Sequence, residues 1–422
     1  MVSASRTGRF AFLNRRSVAW ALYDCGNSAF ALSTLAVLFP LFLGSFWSAG
    51  ADGAVVTGRL AWTTAAASTV VLIAAPLLGA LADSGGLRKR FLLLFGLTGS
   101  AAAAALGFVP EGAWPAALAC FFVASVGYYS ANVYYDSLIF EVSEPRHFEL
   151  VSSLGYALGY FGSAILLGVQ VWMMASPETF GFTDATTVVR LAFVVVGVWW
   201  LLFIMPLLAI VPEPPARSKP GVGAVLSAYR ALLDTMRHVA RYRNVVLFLV
   251  AYALYIAGVF TVIFMAVNFG QRLGFSQVDL VSALLLTNFI GGPATMLVGA
   301  VGHRFGPKRA TYLCLAVYVS VAIWAVFLTD VKQFYVMAML VGLVQGGVQA
   351  MSRSLFAGLI PDEQSGEFFG FYNMVTKLAH VLGPVVVGIG AAISDDPKAI
   401  LVALLPLYIL GTLLLTRVRE AD

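Results

Sequence analysis

Two glycine-bearing stretches about 220 residues apart decide the architecture of this chain. Residues 79–90 read GALADSGGLRKR, and residues 299–309 read GAVGHRFGPKR. Each follows a long apolar run and combines a glycine-bearing helix end, a polar residue four positions later, a glycine turn and a basic cluster. A shorter match pairs Asp136-Ser137-Leu138 with Arg353-Ser354-Leu355. These matches indicate an internal duplication, in which each copy occupies about half of the chain.

The composition is that of a membrane protein. Of 422 residues, 60% are hydrophobic and 11% are charged, whereas a soluble domain carries about 25% charged residues. A soluble fold of this size could not hide so much apolar surface, because its exterior must remain polar. Disorder, collagen, coiled coil and a disulfide-rich secreted domain are excluded as well. One membrane-spanning helix needs about 20 residues, so the chain has room for about a dozen.

Twelve continuous apolar runs are long enough to span a membrane. Barrel strands would be shorter and would alternate, so helices are expected. The first run is too long for a cleavable signal peptide and carries Asp24 and Asn27. The prediction is an all-α membrane protein with twelve transmembrane helices in two pseudo-symmetric six-helix bundles. The runs lie at about 17–46, 60–82, 91–109, 113–141, 151–175, 187–211, 244–270, 277–301, 310–329, 333–359, 367–393 and 397–416.

Lysine and arginine positions predict the orientation. If the N-terminus lies inside, the inner segments hold 19 of these residues and the outer segments hold 5, while Arg353 and Lys377 lie within runs. This bias predicts that both termini are cytoplasmic, and a bacterial inner (plasma) membrane is the expected location. Because the positive charge is spread over loops, it does not indicate nucleic-acid binding.

The predicted domains are an N-terminal bundle (1–211), a cytoplasmic linker (212–243) and a C-terminal bundle (244–422). The linker opens with several prolines, which cannot continue the preceding helix. Apolar residues then recur at helical spacing between arginines. This pattern predicts an amphipathic helix at the anionic inner leaflet, and an ordinary solvated linker helix is the alternative.

Four ionisable residues lie inside the runs or near their inner ends. On insertion scales each costs roughly 2.5–3.5 kcal/mol at the bilayer centre, so the four unpaired would cost on the order of 10 kcal/mol. We therefore expect them to face a wet cavity or one another. Helical spacing places each in a row with polar neighbours. The rows are Asp24 with Asn27, Asn132 with Asp136, Gln345 with Gln349 and Arg353, and Asn373 with Lys377 and His380.

No catalytic residues, metal ligands or cofactor are predicted. The chain has no H-E-x-x-H, G-x-S-x-G or nucleotide-binding glycine loop. Cys25, Cys120 and Cys314 lie in apolar runs and are interpreted as small buried hydrophobes. Without a nucleotide-binding loop, ATP cannot drive the protein directly. An ion gradient or the gradient of the substrate itself remains as the possible driving force for transport.

At the two repeated stretches, 79–90 and 299–309, the chain resembles the major facilitator superfamily, whose transporters consist of two six-helix repeats. Residues 79–90 are similar to its loop 2–3 signature, in which an aspartate latches the two halves together. The resemblance assigns this latch to Gly79, Asp83, Arg88 and Arg90. The second copy carries His303 in place of the aspartate, so a symmetric acidic latch is not expected. In this superfamily spans 1, 4, 7 and 10 line the central cavity.

Further motifs resemble the vacuole-effluxer-like branch, the autophagy-related amino-acid effluxers. The motifs are 20–30, 132–136, 155–160, 349–354 and 368–372. Cys25 departs from the bulky aromatic residue expected there. The resemblance implies a secondary active transporter in the lipid bilayer, with amino acids as the most favoured small-molecule substrate and efflux as the direction. A monomer is expected, and the position of Asp24 within span 1 favours the proton as coupling ion. The alternatives are another small metabolite or drug, a transport-inactive receptor, and a membrane-embedded enzyme.

Roles within the site follow from position. Asp24, Asn27, Asn132, Gln349 and Lys377 are predicted to bind the substrate or the coupling ion. Asp24 is the candidate for proton binding, and the alternative is that it is a fixed ion-pair partner of Lys377 or Arg353.

Asp136 and Arg353 occupy corresponding positions of the two repeats, at the inner ends of spans 4 and 10. Corresponding positions in a pseudo-two-fold protein face one another across the central axis. Opposite charges there predict a cytoplasmic gate that closes by forming an ion pair.

Overall fold

The computed structural model describes residues 12–215, 230, 242–393 and 402–420, and these residues form twelve main helices, the shortest of 13 residues, and no strand. Most of the predicted linker helix lies outside the described residues. The helices are α1 (Arg15–Trp47), α2 (Gly53–Gly85), α3 (Arg88–Ala105), α4 (Trp114–Ser137), α5 (Phe148–Ala175), α6 (Ala185–Ile210), α7 (Arg243–Arg272), α8 (Gln277–Phe305), α9 (Pro307–Trp324), α10 (Val331–Leu359), α11 (Ser365–Ile393) and α12 (Leu405–Arg417).

The helices have the length and surface that a membrane requires. Within the described residues, ten helices, α1 to α10, are long and apolar enough to span a bilayer, and α12 is a shorter apolar helix. Large apolar side chains such as Trp62, Ile73 and Phe108 point outward and are largely exposed. An apolar exterior is stable only in lipid. The predicted all-α membrane fold is confirmed.

Local sequence signals set several helix ends. Asn14 and Ser17 form a reciprocal capping box at the start of α1. Gly86 follows the end of α2 and Gly306 follows the end of α8, with φ angles of 59° and 93°. Side-chain-bearing residues rarely adopt such angles, so glycine is required at both turns. These are the glycine turns of the two repeated stretches.

Contacts between helices follow the internal duplication. Within the first half α1 packs on α5 and α6, and within the second half α7 packs on α11 and α12. Between the halves, α5 contacts α8 and α10, while α11 contacts α2 and α4. In both comparisons, adding six to each helix number, and returning to α1 after α12, converts the first set of contacts into the second. The two bundles are therefore related by a pseudo-two-fold axis.

One end of the bundle is closed by contacts between the halves. We call this end the terminal face; α1 and α11 begin there at Arg15 and Ser365, and α2 and α8 end there at Gly85 and Phe305. Gly79 of α2 lies so close to Gly366 that a Cβ would overlap the carbonyl oxygen of Gly366. The backbones of the two halves are thus in direct contact at the terminal face.

Candidate functional site

Asp136 and Arg353 are in contact between the halves. Arg353 Nη1 donates to Asp136 Oδ1 at 3.1 Å. Its Nε and Nη2 donate to the side chain and the carbonyl of Ser152 on α5, both at 2.9 Å. Asn373 of α11 donates to the other oxygen of Asp136 at 3.2 Å. Four helices, α4, α5, α10 and α11, therefore meet at one buried ion pair, which we call the gate pair.

Aromatic rings enclose the guanidinium group of Arg353, which is 1% exposed. Its Cζ lies 4.4 Å from the ring centre of Tyr156 and 4.8 Å from that of Trp20. Trp20 stacks on Tyr135 and donates to the carbonyl of Tyr135 at 2.8 Å. Cation–π contacts of this kind are strongest where water is excluded. The gate pair is accordingly a desolvated contact rather than a surface ion pair.

A second polar layer lies one helical turn further from the terminal face. Relative to the gate residues, Asn132 is four positions before Asp136, and Gln349 is four positions before Arg353, on helices that run toward this face. Lys377 is four positions after Asn373, on a helix that runs away from it. One turn corresponds to about 5.4 Å. We call these residues, together with Asp24, Asn27 and Tyr160, the polar layer.

The first half supplies a carboxylate to the polar layer. Asp24, which is 5% exposed, accepts a hydrogen bond from Ser28 at 3.2 Å. Its Oδ2 atom has no hydrogen-bond partner among the described residues. A Cβ on Gly159 would lie 3.3 Å from the Asp24 carboxyl carbon, so glycine leaves room for this group. Asn27 donates to Asn132 at 2.9 Å, which joins α1 to α4 in the same layer.

The second half supplies a cation. The ammonium nitrogen of Lys377 lies 2.9 Å from the ring centre of Tyr129 on α4, and the residue is 4% exposed. Within the described part of the chain, Lys377 forms no ion pair, and Asp24 forms none either. In this structure Asp24 is not in direct ion-pair contact with Lys377 or Arg353.

Tyr160 of α5 bridges the halves within the polar layer. Its hydroxyl oxygen accepts from Gln345 Nε2 at 3.1 Å and from Gln349 Nε2 at 3.0 Å, both on α10.

Asp83 joins the halves through the start of α11. Its two oxygens accept from the amides of Gly366 and Glu367 at 3.2 and 2.9 Å. The first amides of a helix lack internal partners and carry a partial positive charge, so a carboxylate is stabilised there. Arg88 pairs with the same carboxylate at 2.7 Å. Gly79, Asp83 and Arg88 come together as the resemblance implied, whereas Arg90 is exposed.

The second repeat makes the equivalent contact with different residues. His303 Nδ1 of α8 lies 3.9 Å from Glu149 Oε2 at the start of α5. A Cβ on Gly299, the counterpart of Gly79, would overlap the side chain of Ser153.

The sequence patterns did not predict several residues of the site. Ser152, Tyr129 and Tyr160 are ordinary membrane-helix residues, and their partners lie far along the chain on other helices. No spacing rule finds such contacts. Within the described ranges, no group of three or more histidine, cysteine or acidic side chains could hold a metal ion.

Comparison with known proteins places this geometry in a family. The model of the family described as "Vacuole effluxer Atg22 like" matches residues 56–147 and 141–421. A Bacillus subtilis (strain 168) protein described as "Uncharacterized MFS-type transporter YxiO" is 33% identical over 405 residues, which cover 95% of this chain and 94% of that protein. Autophagy-related protein 22 of Yarrowia lipolytica (strain CLIB 122 / E 150) is 29% identical over 272 residues, 57% of this chain and 45% of the yeast protein.

Solved structures show the same fold. The human organic anion transporter MFSD10 (TETRAN) has a TM-score of 0.74 at 16% identity, covering 95% of this chain and 99% of that one. The proton:xylose symporter XylE has a TM-score of 0.71 at 15% identity, covering 99% of this chain and 97% of that one. At these identities the likeness shows the fold alone. The chain belongs to the vacuole effluxer Atg22-like family and has the twelve-helix fold of the major facilitator superfamily transporters.

Proposed function

We propose that this protein is a secondary active transporter of small zwitterionic solutes, amino acids first, and that it works by alternating access. One observation carries the proposal. The carboxylate of Asp24 and the ammonium of Lys377 come from opposite halves, lie buried in the polar layer, and form no ion pair with a described residue. A charge left unpaired in a membrane is costly. A solute with both charges would neutralise both groups.

The terminal face is the closed side of the pathway. The gate pair lies one turn from the polar layer, between that layer and the terminal face. The positive-inside bias supports a cytoplasmic terminal face. The polar layer is then shut off from the cytoplasm in this structure, and opening toward the cytoplasm requires Asp136 and Arg353 to separate.

Efflux coupled to proton entry is consistent with a single carboxylate. A proton on Asp24 removes the charge that would hold the ammonium group of the solute. Protons and solute therefore compete for one site, and this competition couples their movement in opposite directions. We expect Asp24→Asn to abolish accumulation driven by a pH gradient, while exchange of solute for solute continues.

Transport by purified protein in proteoliposomes tests the proposal. Counterflow of each of the twenty radiolabelled L-amino acids is measured for the native chain, Lys377→Met and Lys332→Met. Lys332 is exposed at the start of α10, far from the polar layer, and serves as the matched lysine control. We expect counterflow of at least one amino acid, retained in Lys332→Met and lost in Lys377→Met. No counterflow by the native chain, or full activity of Lys377→Met, would contradict the proposal.

A further inference from the structure

The hydroxyl group of Tyr160 has no remaining capacity to accept hydrogen bonds. A phenol oxygen has two lone pairs and one proton. Gln345 and Gln349 donate to this oxygen at 3.1 and 3.0 Å, which occupies both lone pairs. No described residue accepts the proton of the hydroxyl, since these two are the hydrogen bonds that the hydroxyl makes. The group is therefore obliged to act as a donor.

The second glutamine is held in the donating orientation. Gln349 Nε2 also donates to the backbone carbonyl of Gln345 at 3.0 Å. A carbonyl can only accept, so the nitrogen rather than the oxygen of the Gln349 amide must lie on this side. The same nitrogen faces Tyr160, which cannot then donate to it.

Small residues hold the ring of Tyr160 in place. The ring lies 3.5 Å from where a Cβ on Gly291 of α8 would be. On Gly346 of α10 a Cβ would approach the ring at 2.6 Å and would also overlap the side chain of Thr295. The ring thus occupies space that a side chain at position 346 would fill and packs at ordinary contact distance on Gly291, so its hydroxyl is preorganised rather than mobile.

Tyr160 follows directly after the residue of α5 that packs against the carboxylate of Asp24. The preceding residue, Gly159, packs against Asp24 of α1, while Tyr160 itself faces α10. Adjacent positions of α5 thus place an acceptor, Asp24 Oδ2, and a donor, the Tyr160 hydroxyl, in one layer. The ammonium and carboxylate groups of an α-amino acid are joined through a single carbon and require complementary partners within one layer.

We propose that Tyr160 is a specificity-determining residue, whose hydroxyl donates to a carboxylate or carbonyl oxygen of the bound solute. Gln345 and Gln349 are positioning residues that keep the hydroxyl a donor. This inference deepens the proposed function and rests on it. It adds a requirement, because the solute must carry an acceptor oxygen next to its cationic group. A site built to hydrogen-bond a substrate rejects analogues that lack the matching group.

Binding of two related probes tests the role of Tyr160. The probes are the amino acid with the strongest counterflow and the amine that lacks its carboxylate, and Kd is measured for purified native protein, Tyr160→Phe and Tyr318→Phe. Tyr318 of α9 is a matched control because its buried hydroxyl has no hydrogen-bond partner among the described residues. Thermal unfolding of each variant verifies folding, and Gln349→Met tests the positioning role.

We expect Tyr160→Phe to weaken binding of the amino acid by about 10- to 100-fold, the range for a hydrogen bond to a charged group. Binding of the amine should change by less than about threefold, since the amine has no acceptor for the hydroxyl. Gln349→Met should lower the preference for the amino acid over the amine by a smaller factor. Tyr318→Phe should leave this preference unchanged.

Three results would overturn the inference. If the native chain moves amino acids and Tyr160→Phe keeps the native ratio of the two Kd values, the role of Tyr160 is wrong while the proposed function stands. An equal loss for both probes leaves that ratio unchanged and overturns the role too, because it shows a structural defect. If the native chain moves no amino acid, the proposed function fails and this inference fails with it.

Discussion

The contact of α2 with α11 and the contact of α8 with α5 are equivalent under the internal duplication, but their chemistry differs. The side chain of Asp83 is 3% exposed, caps α11 with two hydrogen bonds and pairs with Arg88. His303 is 42% exposed and lies 3.9 Å from Glu149. Exposed ion pairs contribute about 0–1 kcal/mol, whereas breaking a buried pair costs several times more. Duplication has preserved the position of the contact but not its strength.

This asymmetry indicates which contact holds the terminal face closed. The α2–α11 contact combines a buried charge, a helix cap and direct backbone approach at Gly79. The α8–α5 contact is longer, at 3.9 Å, and its imidazole is open to solvent, although Glu149 is only 13% exposed, so it can loosen at a smaller cost. We therefore expect opening of the terminal face to be resisted mainly at Asp83 and at the gate pair.

Replacement of Asp83 by asparagine should produce the largest effect. The variant leaves Arg88 as a buried cation without its carboxylate, which costs about 3–5 kcal/mol. We expect a lower thermal unfolding midpoint and a loss of transport in proteoliposomes. The double variant Asp83→Asn with Arg88→Met removes the orphaned charge and should recover part of the stability. An unchanged midpoint in Asp83→Asn would show that this contact does not stabilise the closed terminal face.

The two equivalent glycines provide the next comparison. In Gly79→Ala the new methyl group meets a backbone oxygen, which cannot turn away, so α2 and α11 are forced apart. In Gly299→Ala the methyl group meets the Ser153 side chain, whose Oγ can turn away but whose Cβ, at 2.6 Å, cannot, so α8 must shift against fewer fixed atoms than α2 does. We expect a loss of transport of roughly tenfold or more in the first, equivalent to about 1.4 kcal/mol, and a smaller loss in the second. Gly358→Ala is the control, because a Cβ there meets no atom within 4 Å. Equal losses at positions 79 and 299 would refute the asymmetry.

Removal of the His303 imidazole should have the smallest effect. The pair with Glu149 is long, at 3.9 Å, and its imidazole is 42% exposed, so it contributes about 1 kcal/mol or less. His303→Ala should accordingly leave the unfolding free energy within that range of the native value and retain transport. Chemical unfolding and proteoliposome counterflow measure the two quantities. A loss as large as that of Asp83→Asn would mean that the two contacts are equally important.

Much of the fold follows from the sequence because membrane helices have few alternatives. The apolar runs must be helical, since lipid offers no partner for backbone groups. The repeated glycine turns at Gly86 and Gly306 mark corresponding places in the two halves. Helix ends are harder to place: α2 extends to Gly53 and α5 begins at Phe148, several residues beyond the apolar runs. Helical backbone hydrogen bonding can continue past the hydrocarbon region whatever the side chains are, so hydropathy alone does not locate the helix ends.

The site is only partly predictable from the sequence. Repeat symmetry brings Asp136 and Arg353 together as candidates, because corresponding positions meet at the axis. Helical periodicity groups Asp24 with Asn27 and Gln349 with its neighbours. It cannot show that Ser152 binds Arg353, or that Tyr160 accepts from two glutamines, because these contacts depend on how α5 packs against α10. Packing between helices is set by side-chain shape across the interface, which periodicity along one helix does not contain.

A charge swap distinguishes gating from substrate binding at the gate pair. If Arg353 served to bind the solute, Arg353→Lys would weaken affinity and Asp136→Asn would not. If the pair is a gate, exchanging the two charges in Asp136→Arg with Arg353→Asp should recover part of the transport lost in either single variant. No recovery, with both variants folded, would argue against a gate.

Distances between spin labels test most directly whether the gate pair holds the terminal face closed. Labels at Glu144 and Gly358, both exposed near the ends of α4 and α10, report the separation of the two halves, in a chain whose three native cysteines are replaced by alanine. We expect one predominant short distance in the otherwise native protein. Asp136→Asn should add a longer distance, with a population shift of roughly 5- to 30-fold, equivalent to about 1–2 kcal/mol. An identical distance distribution in Asp136→Asn would contradict the gate.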